Sequence, residues 1–182
     1  MIRMRIFALL LVAFCVSPLL GISESGAQVR EVRRAAEQGD ADAQNRLGRM
    51  YATGQGVTKD GQEAARWFRK SADQGFARSE FNLGILYERG DGVPRSFERA
   101  HEWFLKAANR GFERSQFRLG RLYEQGLGVP RNFAIAYKWY NISAGRGYQP
   151  AREARDRIAK QMSRDQIAEA QRLSAKWQPN NK

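Results

Sequence analysis

Few residues in this chain have types and spacings that could carry out chemistry. His101 is the only histidine, and it lies beside Glu102. A single histidine without a nucleophile or a metal-ligand partner is typical of a helix surface. No order of Ser, His and Asp and no recurring pair of carboxylates suggests a hydrolase. We therefore predict that the protein is not an enzyme and has no catalytic and no metal-binding residues.

Three Gly-x-Gly pairs could cradle a phosphate group, and they are Gly54-Gln-Gly56, Gly90-Asp-Gly92 and Gly126-Leu-Gly128. Phosphate-binding loops of this kind follow a strand, or carry the lysine of a Walker motif. Here each pair follows a predicted helix, the Walker lysine is missing, and the pair recurs three times. We interpret the glycines as loop geometry and predict no cofactor.

Arginine is the residue whose spacing points most clearly to binding. At about 100° per residue, one narrow sector of three successive helices is rich in arginine. The residues of this sector that we predict to bind a partner are Arg46, Arg49, Arg78, Asn82, Arg89, Arg114, Arg118 and Arg121. Arginine presents a planar fork that suits a carboxylate or a phosphate. The alternative is a basic face that only interacts with solvent.

The helices that carry these arginines recur at a fixed spacing. Gly39, Gly75, Gly111 and Gly147 are each separated from the next by 36 residues. A period of roughly 20–50 residues indicates a repeat architecture. Each unit shows the pattern L-G-x-x-Y-x-x-G-x-G-V, followed by A-x-x-W-[FY] and by A-x-x-G.

The pattern predicts two helices in each unit. In the first unit, one helix should run from about residue 41 to 53 and end at Gly54, because glycine tolerates the left-handed turn there. The second helix of each unit should begin near a good N-cap residue, and these are Asp60, Ser96 and Asn132. Asp60 and Glu63 also have the spacing of a capping box. The tryptophan of each second helix, such as Trp103, should fill the gap between repeats.

The pattern resembles the Sel-1-like repeat, a relative of the tetratricopeptide repeat. The resemblance covers three full units and a degenerate fourth. It implies an all-α fold, a right-handed α-solenoid of helix-turn-helix repeats with a period of 36 residues. It also implies a protein that binds other proteins, with the first helices lining the concave side.

The N-terminus has the features of a secretory signal peptide. Basic residues up to Arg5 precede an apolar run from Ile6 to Val16, and Ser25-Gly26-Ala27 offers a cleavage site after Ala27. The apolar run is shorter than the roughly 20 residues of a membrane-spanning helix, although an uncleaved anchor is the alternative. Cleavage removes the only cysteine, Cys15, and lowers the net charge from +12 to +11. We predict a periplasmic or secreted protein.

We divide the chain into six segments. They are a signal peptide at 1–27, an N-terminal capping helix at 28–40, repeats at 41–75, 76–111 and 112–147, and a degenerate repeat with a C-terminal capping helix at 148–182. In the last segment we predict a helix at about 149–162. Ser163 and Gln166 then form a capping box, and a final amphipathic helix leads to Trp177.

Charge and repeat pattern together predict the function. A strongly basic exported protein attracts acidic surfaces. We expect a scaffold with a regulatory or assembly role in the cell envelope, which binds an acidic segment of a partner protein through a basic concave face. We expect no nucleic-acid partner, and membrane contact only transiently through the signal peptide. The alternative is a binder of anionic glycan or lipid headgroups that uses the same arginines.

Overall fold

The computed structural model describes residues 19–179, with side chains from Gly26 onward. The predicted apolar run Ile6–Val16 and Cys15 lie outside these residues. The described part of the chain forms nine helices and no strand. The helices are α1 (Leu19–Glu37), α2 (Ala41–Thr53), α3 (Gly61–Asp73), α4 (Ala77–Arg89), α5 (Phe97–Asn109), α6 (Glu113–Gln125), α7 (Phe133–Gly145), α8 (Gln149–Ala159) and α9 (Arg164–Ala175).

Helices α2 to α7 form three helix pairs, one pair in each predicted repeat. All six helices are 13 residues long. Each of them packs against the helix before it and the helix after it in the sequence. The all-α solenoid and its period are therefore confirmed, and the right-handed sense stays a prediction.

The Leu-Gly pair of each repeat lets the two helices of the repeat approach closely. Leu83 is fully buried. A Cβ atom at Gly84 would overlap the Phe104 ring, so that ring packs directly on the backbone of α4. The equivalent contacts are those of Gly48 with Phe68 and of Gly120 with Tyr140.

The loop within each repeat is built from the two glycines and an N-cap. Gly90 ends α4 in the left-handed conformation, at φ 79°. Gly92, at φ 71°, lets the loop contact the backbone of Gly61 in the preceding repeat, where a Cβ atom would collide. Ser96 then caps α5 by accepting a hydrogen bond from the Arg99 N–H at 3.2 Å. The predicted N-caps are confirmed in all three repeats.

The predicted capping box at Asp60 and Glu63 is wrong. The Asp60 carboxylate accepts hydrogen bonds from the backbone N–H groups of Gln62 and Glu63, as an N-cap should. However, the Asp60 N–H donates to the Tyr51 carbonyl at 2.9 Å. The Glu63 side chain instead lies 3.3 Å from Arg66. Because the loop already provides an acceptor for the Asp60 N–H, the reciprocal bond has no donor left.

Helix α1 is longer than the predicted capping helix and runs through the expected cleavage site after Ala27. Its buried residues Val29, Val32 and Ala36 all follow that site. The part of α1 that follows Gln28 therefore packs on α2 through Val32 and Ala36, and cleavage stays a prediction. Between residues 19 and 179, no helix combines the length and the apolar character that crossing a bilayer requires.

The C-terminal segment differs from the prediction in one helix and agrees in the next. Helix α8 ends at Ala159, three residues earlier than expected, and a turn follows it. The capping box of α9 is confirmed, because the Ser163 N–H donates to Gln166 Oε1 at 2.9 Å and the Gln166 N–H donates to Ser163 Oγ at 3.2 Å. Helix α9 then packs on α7, so the last two helices both cover the third repeat.

Candidate binding surface

The predicted binding residues line three depressions along α2, α4 and α6. The middle depression, which we call the central groove, combines residues from all three repeats. Its lining residues are Asn45, Arg49, Arg78, Phe81, Asn82, Phe112, Glu113 and Arg114. Four of the eight predicted residues therefore meet at one place.

The central groove combines positive charge with an aromatic surface. Phe81 and Phe112 pack edge to face, with ring centroids 5.3 Å apart. The guanidinium carbon of Arg114 lies 5.0 Å from the Phe81 ring centroid. Asn82 donates a side-chain hydrogen bond to Asn45 Oδ1 at 2.9 Å, which joins the first two repeats. Phe81 is buried, whereas Phe112 is partly exposed. The groove can thus offer arginine forks to a carboxylate and the ring surface of Phe112 to an apolar group.

A second depression lies between α1 and α2. Arg46 and Arg49 line it together with Val32 and Met50. Arg49 also lines the central groove, so the two depressions are adjacent. Arginine side chains therefore line adjacent depressions from the first repeat to the third.

The third depression contains Arg89, Arg118 and Arg121, and its electrostatics differ from the prediction. Arg118 donates from one nitrogen to both carboxylate oxygens of Glu88, at 3.1 Å each. Both side chains are mostly buried, with exposures of 24% and 18%. Burial lowers the pKa of Arg118, and the nearby Glu88 carboxylate opposes that shift. Arg118 therefore joins the second repeat to the third through Glu88, and its role in binding a partner stays a prediction.

The same neutralisation occurs one repeat later. Arg157 lies 2.9 Å from both oxygens of Glu124, and Tyr140 donates its hydroxyl proton to the same carboxylate. The hydrogen bond with Glu124 raises the pKa of Arg157. Burial, and then the bond to Glu124, raises the pKa of Tyr140. At the C-terminal end of the surface formed by the first helices, Arg118 and Arg157 are thus paired with carboxylates of the same chain.

The predicted arginines of the first two repeats have no such pair in the part of the chain that the structure describes. Within the described residues, no ion-pair partner lies near Arg46, Arg49, Arg78 or Arg89, and all four side chains are exposed. Glu113 is the carboxylate among the residues that line the central groove. The excess of positive charge is therefore centred on Arg49, Arg78 and Arg114.

His101 is not the helix-surface residue that the sequence predicts. It is half-buried, and its Nε2 lies 3.1 Å from the Tyr123 hydroxyl. The two rings pack edge to face at 5.4 Å. Burial lowers the pKa of His101. The prediction fails because α6 of the following repeat covers this position.

The aromatic surface of the central groove was missed in the sequence. A signal for it exists, since an aromatic residue precedes each later first helix at the 36-residue spacing, as Phe76, Phe112 and Tyr148. The pair Phe117 and Tyr148 repeats the contact of Phe81 with Phe112, with ring centroids 5.4 Å apart. Across residues 19–179, no group of three or more His, Cys, Asp or Glu side chains is placed to hold a metal ion.

Comparison with known proteins finds similarity to one repeat family. The family model described as Sel1 repeat matches residues 41–76, 77–112 and 114–148. Curated proteins give no match. The crystal structure of a Sel1 repeat protein from Oxalobacter formigenes is 30% identical, covers 76% of this chain and has a TM-score of 0.68.

Two further solved structures are similar. A protective antigen present in uropathogenic Escherichia coli strains, which displays an SLR fold, is 35% identical over 82% of this chain, with a TM-score of 0.74. This chain covers 58% of the Oxalobacter protein and 33% of the Escherichia coli antigen. Cysteine rich protein B of Helicobacter pylori is 18% identical over 73% of this chain and 96% of its own, with a TM-score of 0.59, which is a likeness of fold alone.

Proposed function

This chain belongs to the Sel1 repeat family, whose members are generally scaffolds for protein interactions, and we propose that it is an exported scaffold that binds an acidic segment of a partner protein. The central groove is the binding surface. One observation carries the proposal: Arg49, Arg78 and Arg114, from three successive first helices, line the same groove as Phe81 and Phe112.

The composition of the groove favours a protein segment over a glycan or a lipid headgroup. The arginines can pair with Asp or Glu carboxylates. The partly exposed ring of Phe112, which packs on buried Phe81, can contact an apolar side chain of the same segment. Anionic headgroups and glycans can pair with the arginines but make little use of an aromatic ring surface. The partner segment should therefore carry an acidic residue next to an apolar or aromatic one.

We propose a regulatory or assembly role in the cell envelope. Sel1 repeat scaffolds are typically non-enzymatic, and a groove lined by arginine, asparagine and phenylalanine recognises a segment without changing it. A basic groove of this kind raises the association rate of an acidic partner as well as its affinity.

The test is a double charge reversal in the groove. Arg49→Glu with Arg78→Glu should weaken binding of a fluorescein-labelled peptide, in which two glutamates flank a phenylalanine, by at least about tenfold. Folding should be little affected, because both side chains are exposed and changes at such positions usually stay within about 0.5 kcal/mol. Fluorescence anisotropy measures the affinity. The same peptide with glutamine in place of glutamate is the ligand control.

The matched protein control is Arg152→Glu with Arg164→Glu. These arginines are exposed on α8 and α9, away from the groove, and their replacement changes the net charge by the same amount. The affinity for the peptide should stay within about twofold of the unsubstituted protein. Equal losses in both double variants would mean that the peptide responds to net charge, and the groove proposal would then be wrong. Tighter binding of vesicles rich in an anionic lipid through Arg49 and Arg78 would favour the headgroup alternative.

A further inference from the structure

The last described residues occupy a specific place on the third repeat. Trp177 follows α9 and packs edge to face on Trp139, with ring centroids 6.1 Å apart and an interplanar angle of 69°. The guanidinium carbon of Arg146 lies 5.7 Å from the Trp177 ring centroid. The Lys138 ammonium lies 4.7 Å from the Trp139 ring centroid. The surface beside Trp139 therefore holds the Trp177 ring, even though the Lys138 ammonium also lies near the Trp139 ring.

The repeat presents the same place one unit earlier. A shift of 36 residues converts Trp139 to Trp103 and Arg146 to Arg110. Both residues line one open depression, which we call the Trp103 pocket. Its lining residues are Ala72, Asp73, Glu80, Trp103, Lys106, Asn109 and Arg110. The Lys106 ammonium lies 4.0 Å from the Trp103 ring centroid. Lys106 occupies the position that Ile142 has in the third repeat, so the side chain beside the tryptophan is charged here and apolar there.

We propose that the Trp103 pocket binds a tryptophan side chain of a partner protein, in the way that Trp177 occupies the equivalent place on the third repeat. The chain's own Trp177 is already packed on Trp139, so the earlier pocket is open to a side chain from outside. Trp103 is half-buried and provides ring surface for an edge-to-face contact. Arg110 is held beside it by a hydrogen bond to Glu80 at 3.1 Å.

The charges around the pocket separate this site from the central groove. Asp73 and Glu80 lie with Lys106 and Arg110, so the lining contains both signs. A neutral aromatic ligand should therefore bind with little dependence on salt, whereas an acidic segment in the central groove should bind with strong dependence on salt. The Trp103 pocket and the central groove share no lining residue, so either proposal can fail alone.

The experiment uses N-acetyl-tryptophanamide as the probe and nuclear magnetic resonance as the readout. The chain has four tryptophans, so its indole N–H groups give few signals. The Trp103 indole signal should shift and saturate with the probe, in low and in high salt. The signal of Trp67, which is 5% exposed, should stay unchanged. N-acetyl-alaninamide, which lacks the ring, should shift neither signal.

Trp177→Ala provides a control within the same protein. This variant removes the side chain that occupies the equivalent place, so the Trp139 signal should become sensitive to the probe. A Trp103 signal that does not move with the probe overturns the proposal, whether or not Trp139 responds in the variant. A Trp103 signal that shifts with protein concentration, and no longer does so in Trp177→Ala, would assign the pocket to a second copy of the chain and overturn the partner assignment.

Discussion

Glu80 occupies a position where the neighbouring repeats carry glutamine. Gln44 donates its side-chain N–H to the Ala36 carbonyl at 3.1 Å, and Gln116 donates to the Ala108 carbonyl at 3.2 Å. These bonds join each repeat to the helix before it. A shift of 36 residues places Ala72 opposite Glu80, but an ionised carboxylate has no proton to donate.

The hydrogen bonds of Glu80 reflect this mismatch. Its Oε1 accepts from Arg110, as Oε1 of Gln44 accepts from Gln74, which is the equivalent residue of the first repeat. The other oxygen, Oε2, is buried without a partner among the described residues. It corresponds to the amide nitrogen of Gln44. Burial raises the pKa of Glu80, while the hydrogen bond and the charge of Arg110, and the charge of Lys106, oppose that shift.

Glu80→Gln should therefore raise the free energy of unfolding at neutral pH by about 1 kcal/mol, because the amide can donate to the Ala72 carbonyl. Loss of the pair with Arg110 should cost little, since the Arg110 side chain is 35% exposed and can be solvated. Urea unfolding of both proteins, at pH 7 and in acidic buffer, measures the free energy of unfolding at each pH. A raised pKa in the folded state means that this carboxyl favours folding more as the pH falls. The gain from the substitution should thus shrink in acid.

Gln116→Glu is the reverse control. It places a carboxylate at the equivalent buried position of the third repeat, and should lower the free energy of unfolding by about 1–3 kcal/mol. If Glu80→Gln proves destabilising, the ion pair with Arg110 outweighs the mismatch and our account of Glu80 is wrong.

Helix α9 determines how the array ends. A terminal repeat needs a polar outer face, because no further repeat covers it. Helix α9 buries Ala170 and packs on α7, and most of its other residues remain exposed. Ser174 Oγ lies 3.4 Å from the Lys138 carbonyl, which fixes the end of α9 beside α7. The third repeat is thereby covered by α8 and α9 together.

Trp103→Ala should destabilise the protein more than Trp177→Ala. Trp103 packs against the core between the first two repeats and against the core between the second and third. Trp177 packs against only the second of these two cores, where it contacts Trp139. We expect Trp103→Ala to cost about 3 kcal/mol and Trp177→Ala to cost less. Denaturant midpoints in the opposite order would contradict the role of Trp177 as a cap residue.

The whole molecule carries a net charge of +12. Where the positive charge lies on the surface determines where an acidic partner is attracted. Cross-repeat pairs such as Arg118 with Glu88 neutralise the C-terminal part of the first-helix surface. Arg46, Arg49, Arg78 and Arg89, which are exposed on the first helices of the first two repeats, have no ion-pair partner among the described residues. An acidic partner should therefore be attracted to the N-terminal half of the array.

Export can be tested on the intact protein. Protein recovered from the cell envelope should begin near Gln28, because the basic start, the apolar run and the small residues up to Ala27 have the features of a cleavable signal. N-terminal sequencing gives the answer, and an intact Met1 would refute cleavage. A chain that starts at Gln28 should unfold at the same denaturant concentration as the full chain, since Val29, Val32 and Ala36 are retained.

The sequence by itself determined the helices and their order. Gly54, Gly90 and Gly126 end the first helices in the left-handed conformation. The N-caps of the second helices likewise lie where the pattern predicts. Both are local effects, since a helix terminus depends on the conformation and hydrogen bonds of a few adjacent residues. The period of 36 residues indicated a repeat array, and the resemblance of the pattern to the Sel-1-like repeat implied that the array is all-α.

The tertiary structure decided which charges remain available and which side chains fill the spaces between repeats. Arg118 meets Glu88 across 30 positions of sequence, and Arg157 meets Glu124 across 33. The sequence of one helical face shows which arginines lie on it. It does not show which carboxylate of a neighbouring repeat pairs with each arginine. The contact of Trp177 with Trp139 and the burial of His101 against Tyr123 arise in the same way. Each depends on how one repeat is rotated and placed against the next, and that placement is set by packing of the whole array.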